Sequence, residues 1–144
     1  MILSSEDVGA FSAPPATIRI KALEGAFRLK LTLATRTKDG ILMVDCNGQI
    51  VFGEESSLLR STVKNAVSEN NRIVLNLGEV NYIDSTGLGT LVGLYTSVHK
   101  AGGAVKLMCL TKRVSDLLQL TKLLTVFDVY DSEAEAVESF RRAA

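Results

Sequence analysis

The apolar residues of this 144-residue chain change period along its length, and that change limits the folds open to it. Leu29, Leu31 and Leu33 alternate with Arg28, Lys30, Thr32 and Ala34, which is the signature of a half-buried strand. Lys38-Asp39-Gly40 has the chemistry of a tight turn, and Ile41-Leu42-Met43-Val44 opens a second strand toward Cys46. Beyond a loop over residues 48–55 the period becomes helical, with Leu59, Val63, Ala66 and Val67 on one face. Ile73-Val74-Leu75-Asn76-Leu77 then reads as a strand covered on both faces. Leu88, Leu91, Val92, Tyr95 and Val98 restore the helical spacing until Gly102-Gly103 stops it.

The unit repeats once more. Val105 to Leu110 reads as a strand, and Val114, Leu117, Leu118 and Thr121 as a helix face. Phe127-Asp128-Val129-Tyr130 makes a short last strand, and Ser132 with Glu135 forms a capping box that opens a final helix carrying Val137 and Phe140. Strands alternating with helices at these spacings predict an α/β fold. It has a mainly parallel sheet, a hairpin at its start and about four helices packed on it. Residues 1–27 read differently. Pro14-Pro15 blocks regular structure, and only Ile18 and Ile20 hint at an extra strand.

Composition narrows the function. The 16 basic and 16 acidic residues balance, so no global field draws the chain to nucleic acid or to an anionic membrane. No apolar run is long enough to span a bilayer, and the N-terminus lacks the pattern of a signal peptide, so a cytoplasmic protein without a membrane partner is expected. With one His and no Cys-x-x-Cys, a zinc site lacks ligands; no metal and no cofactor is expected. Cys46 and Cys109 lie in apolar runs and are expected to be buried free thiols.

Enzyme motifs fall short in specific ways. A hydrolase elbow needs Gly-x-Ser-x-Gly, whereas the serine here sits in Ile83-Asp84-Ser85-Thr86-Gly87, and the lone His99 falls on a polar helix face. Gly87, Gly89 and Gly93 miss the dinucleotide spacing by one residue. The acidic pair of a receiver domain is missing after the first strand. A non-enzymatic module is expected.

One site remains. Asp84 and Ser85 sit where a strand hands over to a helix, and either is a good cap for the free N–H groups there. Gly87 relieves crowding at that junction, while Gly89 and Gly93, four apart, would let the helix lie close to a neighbour. The carboxyl ends of strands in open α/β sheets are also where ligands and partners gather. A phosphate on Ser85 would add about −1.5 to −2 charge at such a tip. The helix dipole tolerates it, with effects of about 0.3–1 kcal/mol. The fold should therefore survive, and the change should be felt by whatever docks on the tip.

The run Ile83-Asp84-Ser85-Thr86-Gly87-Leu88-Gly89, followed by an apolar helix that ends in Gly102-Gly103, resembles the STAS domain family and most of all the bacterial anti-sigma factor antagonists. The resemblance spans about residues 29–140 and implies a single STAS domain over residues 28–144. Residues 1–27 are then an N-terminal extension, partly disordered or adding one strand. It further implies that an anti-sigma factor with serine kinase activity phosphorylates Ser85, with Thr86 less favoured. The unphosphorylated form would capture that kinase and free a sigma factor, and a PP2C-type phosphatase would reverse the modification. The partner surface implied by position comprises Asp84, Ser85, Thr86, Gly87, Leu88, Gly89, Gly48, Gln49, Phe52 and Glu54, on a monomer or weak dimer. Where members often carry Gly-Glu-Leu-Asp, this chain has Gly48-Gln49-Ile50-Val51 and lacks the acidic residue. The same family also supplies scaffold and accessory subunits of stress-signalling assemblies and transport systems, which is the alternative function.

Overall fold

The structure, a computed structural model, describes residues 29–143. The expected extension over residues 1–27, with its candidate strand, lies outside the described residues. The elements run β1 (Leu31–Lys38), β2 (Ile41–Ile50), α1 (Glu54–Ala66), β3 (Arg72–Ile83), α2 (Ser85–Lys100), β4 (Ala104–Met108) and α3 (Lys112–Leu120). A 3-10 turn (Leu123–Thr125), β5 (Val129–Tyr130) and α4 (Glu133–Ala143) complete the order. Apart from the start of β1, they belong to the compact unit Leu33–Ala144.

The sheet has five strands in the order β1-β2-β3-β4-β5. Asp39 (φ 53°) and Gly40 (φ 79°) both take the left-handed conformation that a two-residue hairpin turn demands, so the predicted hairpin forms where its turn residues lie. The remaining pairs are parallel: Leu42 to Ile50 on Ile73 to Ile83, Arg72 to Asn76 on Ala104 to Met108, and Leu107-Met108 on Val129-Tyr130. The predicted α/β class with a mainly parallel sheet is what the chain adopts.

The helices divide between the two faces of the sheet. Ile41 and Met43 of β2, Val74 of β3 and Met108 of β4 build one core with Ala136, Val137 and Phe140 of α4. The pleat turns the alternate residues Val44, Ile73, Leu75 and Leu107 the other way. On that side Leu59 and Val63 of α1, Leu91, Leu94 and Val98 of α2, and Val114 and Leu118 of α3 are buried. Thr121, expected on the inner face of α3, instead lies just past its end and is exposed.

Two polar features support the α4 face. Lys106 is 7% exposed; its ammonium donates to Ser139 Oγ at 2.9 Å and sits 4.2 Å from the centroid of the Phe140 ring, a cation–π contact that replaces a carboxylate partner. At the hairpin, the Arg36 guanidinium forks onto Asp45 (2.7 Å) and onto Glu133 at the start of α4 (2.7 Å), and Lys38 adds a contact to Glu133 at 3.3 Å. Ser132 Oγ accepts the Glu135 N–H at 3.2 Å as the capping box predicts, while the Glu135 carboxylate accepts from the N–H of Asp131 at 3.3 Å. Of the two thiols only Cys46 is buried, and burial pushes it up to about 12. Cys109, just past the end of β4 with φ 61°, is half-buried and packs against the edge of the α4-face core.

The hydrogen bond from Arg36 holds the Glu133 carboxyl down at about 2, against an ordinary 4.5. A depressed carboxylate stabilises the fold above its ordinary value and loses that contribution as pH falls from about 4.5 toward 2. Solvent screening limits the effect to about 1 kcal/mol. Glu133→Gln should therefore lower stability by about that amount at pH 7 and flatten the loss of stability between pH 4.5 and 2, as read by urea titrations at several pH values.

Candidate functional site

The C-terminal end of the sheet is uneven, and that unevenness builds the site. β3 pairs with β4 only as far as Asn76, yet continues beside β2 as far as Ile83. It carries an extra residue opposite Asp45/Asn47 and another opposite Gly48/Gln49, and such bulges bend and twist a strand. Past the end of β4, two side chains meet the exposed carbonyls of β3: Thr111 Oγ1 donates to Val80 O at 3.2 Å and Arg113 to Asn81 O at 3.4 Å. The result is a two-stranded projection that ends in the Asp84-Ser85 junction.

Asp84 takes the cap of α2. Its backbone is extended, its Oδ1 accepts the Gly87 N–H at 2.8 Å, and its carbonyl accepts the Leu88 N–H at 2.9 Å. Ser85 is thereby the first helical residue, exposed, with its hydroxyl outside the cap. Spacing alone left both residues open as caps; the geometry gives the role to Asp84. Its second oxygen is also used, accepting the Phe52 N–H at 2.9 Å across 32 residues. Partial burial pushes the Asp84 carboxyl up, but the N–H groups of Phe52, Gly87 and Thr86 more than offset this, and it titrates below its ordinary range.

The turn from β2 into α1 is locked against the same junction. Asp84 N–H donates to Ile50 O at 3.3 Å, and Val51 O accepts both the N–H and the hydroxyl of Ser56. Gly53 caps α1 at φ 107°, a conformation glycine alone adopts readily. Phe52, between them, is 76% exposed. The closest approach is at Gly87, where a Cβ would lie 2.0 Å from Ile50 O, so no larger residue fits without moving the helix.

Of the expected partner residues, Asp84, Ser85, Thr86, Gly87, Leu88 and Gly89 form the first turn of α2 with its cap, and Phe52 is brought beside them. Ser85, Gly89, Phe52 and Glu54 are exposed, while Gly87 is buried. Gly48 and Gln49 are half-buried and belong to β2, paired with Val80 and Tyr82, rather than to a loop. Both extra residues of the irregular pairing lie in β3, so β2 runs on through Gly48 to Ile50 beside it, further than the loop chemistry of Gly48 suggests. Gly89 and Gly93 do not mediate helix packing as expected, since a Cβ on either meets open space. Four-residue spacing puts two glycines on one face without saying which face is covered.

Three neighbours carry no local sequence signal. Tyr82 is 44% exposed on the projection. Arg60 of α1 donates to Thr90 Oγ1 at 3.2 Å, and that hydroxyl donates to Thr86 O at 3.0 Å, linking α1 to the first turn of α2. The Arg60–Thr90 contact spans 30 residues and becomes visible only when the helices pack.

The sheet order and the rigid strand–helix junction define a single α/β module with an exposed hydroxyl at its tip. The STAS domain model matches residues 32–136, and the chain belongs to that family. A Paenibacillus polymyxa relative named an anti-sigma F factor antagonist is 28% identical over 100 residues, covering 68% of this chain and 85% of that one. A Thermotoga maritima protein provisionally named an anti-sigma factor antagonist is 38% identical over 72 residues. That alignment spans half of this chain and 64% of the relative's length. The crystal structure of a protein so named from the same organism superposes with a TM-score of 0.71 at 28% identity, over 76% of this chain and 94% of that one. Among the described residues no helix is long and apolar enough to cross a membrane.

The glycines of α2 should separate cleanly by stability. Gly87→Ala should cost about 3 kcal/mol, because its Cβ meets backbone that cannot yield cheaply. Gly89→Ala and Gly93→Ala should each gain about 0.5 kcal/mol, since alanine is the better helix former in open space. Urea midpoints at an unchanged m-value would measure all three.

Proposed function

We propose that this protein is an anti-sigma factor antagonist, a non-enzymatic binding module switched by phosphorylation of Ser85. In the unphosphorylated state it captures an anti-sigma factor with serine kinase activity and so frees a sigma factor. The kinase transfers a phosphate to Ser85 and lets go, and a PP2C-type phosphatase restores the binding form. The observation that carries this proposal is the division of labour at the junction: Asp84 caps α2, and the Ser85 hydroxyl beside it is exposed and outside the cap. The names of the relatives point the same way.

The docking face consists of Ser85, Gly89, Phe52 and Glu54 around the rigid junction, with Thr86 the less favoured acceptor. Phe52 provides an apolar anchor of the kind that dominates protein interfaces. Gly89 leaves the helix surface flat, so a partner can approach the α2 backbone closely. A phosphate there sets a dianion against a surface from which water must be removed, a heavy penalty unless the partner supplies compensating groups.

A pull-down from the native cell with Ser85→Ala and Ser85→Asp variants tests the switch. Alanine should retain an ATP-binding kinase partner that aspartate loses, and the recovered partner with ATP should add one phosphate to the wild-type chain and none to Ser85→Ala. Equal recovery by both variants, or phosphorylation that persists in Ser85→Ala, would refute it.

A further inference from the structure

One carboxylate joins the switch serine's helix to the exposed aromatic ring beside it. Asp84 Oδ1 caps α2 through the Gly87 N–H at 2.8 Å, and Asp84 Oδ2 holds the Phe52 N–H at 2.9 Å. Capping alone does not call for aspartate, because Asn and Ser serve a helix N-terminus about as well, and Thr nearly so. The second bond does. Asn would turn an N–H donor toward the Phe52 N–H, and Ser or Thr has a single oxygen, already engaged in the cap.

Phe52 depends on that bond for its position. The residue is 76% exposed, and the next residue is Gly53 at φ 107°. On its other side Val51 O is fixed by Ser56, so the chain enters the turn rigidly and leaves it through a glycine. Ser85 follows Asp84 directly.

We propose that Asp84 is a positioning residue that relays the charge state of Ser85 to Phe52, so that the hydroxyl and the ring are presented, or withdrawn, as one epitope. The relay rests on Ser85 being the modified residue. A phosphate there sets a dianion one residue from the carboxylate, well inside the Debye length of roughly 8 Å. Rotation of the Asp84 side chain away from it relieves the repulsion, and one of the two N–H groups then loses its acceptor. The Gly87 bond lies at the positive end of α2, which favours keeping the carboxylate there. The Phe52 bond lies in an exposed turn and is the one released.

The test uses the full chain with phosphoserine built in at position 85 by genetic incorporation, followed by heteronuclear NMR and amide hydrogen exchange. On phosphorylation the Phe52 amide should shift and exchange about ten-fold faster or more, while the Gly87 amide keeps its protection. In Asp84→Ser and Asp84→Asn the Phe52 amide should exchange fast whether or not position 85 carries the phosphate. If one variant does not fold, the other gives the answer. A Phe52 amide that stays protected in the wild-type phosphoprotein, or that responds to the phosphate as strongly in Asp84→Ser as in wild type, overturns the relay. Since the phosphate is built in, this result is independent of whether the native cell contains a kinase for Ser85, which the pull-down addresses.

Discussion

The contact between the Ile50 carbonyl and the start of α2 is the constraint on which the rest of the tip depends. That oxygen accepts the Asp84 N–H at 3.3 Å and leaves no room for a Cβ at Gly87. With the end of β2 and the start of α2 in touch, the turn between β2 and α1 has nowhere to go but across the Asp84 carboxylate. The single close approach thus sets where Phe52 emerges and which way Ser85 faces. Buried backbone polar groups must find partners, and here the partners of one loop are supplied by the other.

This local rigidity is reinforced by the way the sheet ends. β3 outlasts β4, which would leave carbonyls along its free edge without strand partners; Thr111 and Arg113 cover two of them. Thr111 also caps α3 through the Val114 N–H at 3.3 Å, so the helix that follows β4 is anchored by the residue that braces the projection. On the other face, Lys106 and the Arg36–Glu133 pair fasten α4 to the sheet without touching the junction. Stability and presentation are handled by different residues, and a change at the tip need not disturb the core.

Much of this was legible in the sequence, because hydrophobic period reports local geometry directly. The Asp39-Gly40 turn, the Ser132–Glu135 cap and the stop at Gly102-Gly103 each need a particular residue at a particular place, and each forms where that residue stands. What stayed hidden is whatever depends on the partner across space. Asp84 and Ser85 are equally good caps in one dimension. Gly89 and Gly93 share a face, but the pattern cannot say that this face is open. Lys106 interrupts an apolar strand and looks like an outward residue until Ser139, 33 residues away, and its neighbour Phe140 arrive from α4. Where the register of β3 slips, the buried residues Leu77, Val80 and Ile83 fall three apart, so the period-two pattern is lost and the sequence reads as a strand ending at Leu77.

The energetic terms indicate why a junction of this kind suits a switch. A phosphate on the first residue of α2 gains about 0.3–1 kcal/mol from the helix dipole and loses a comparable amount to Asp84, so the global stability of the fold is left nearly unchanged. Removing that same dianion from water against an uncompensated partner surface costs several kcal/mol. The difference falls almost wholly on the complex. A serine buried in the core would invert this balance and unfold the module, and one on a loose loop would let the phosphate swing away from the partner. An N1 serine beside an aspartate cap avoids both: its charge is tolerated by the helix and held in place by it.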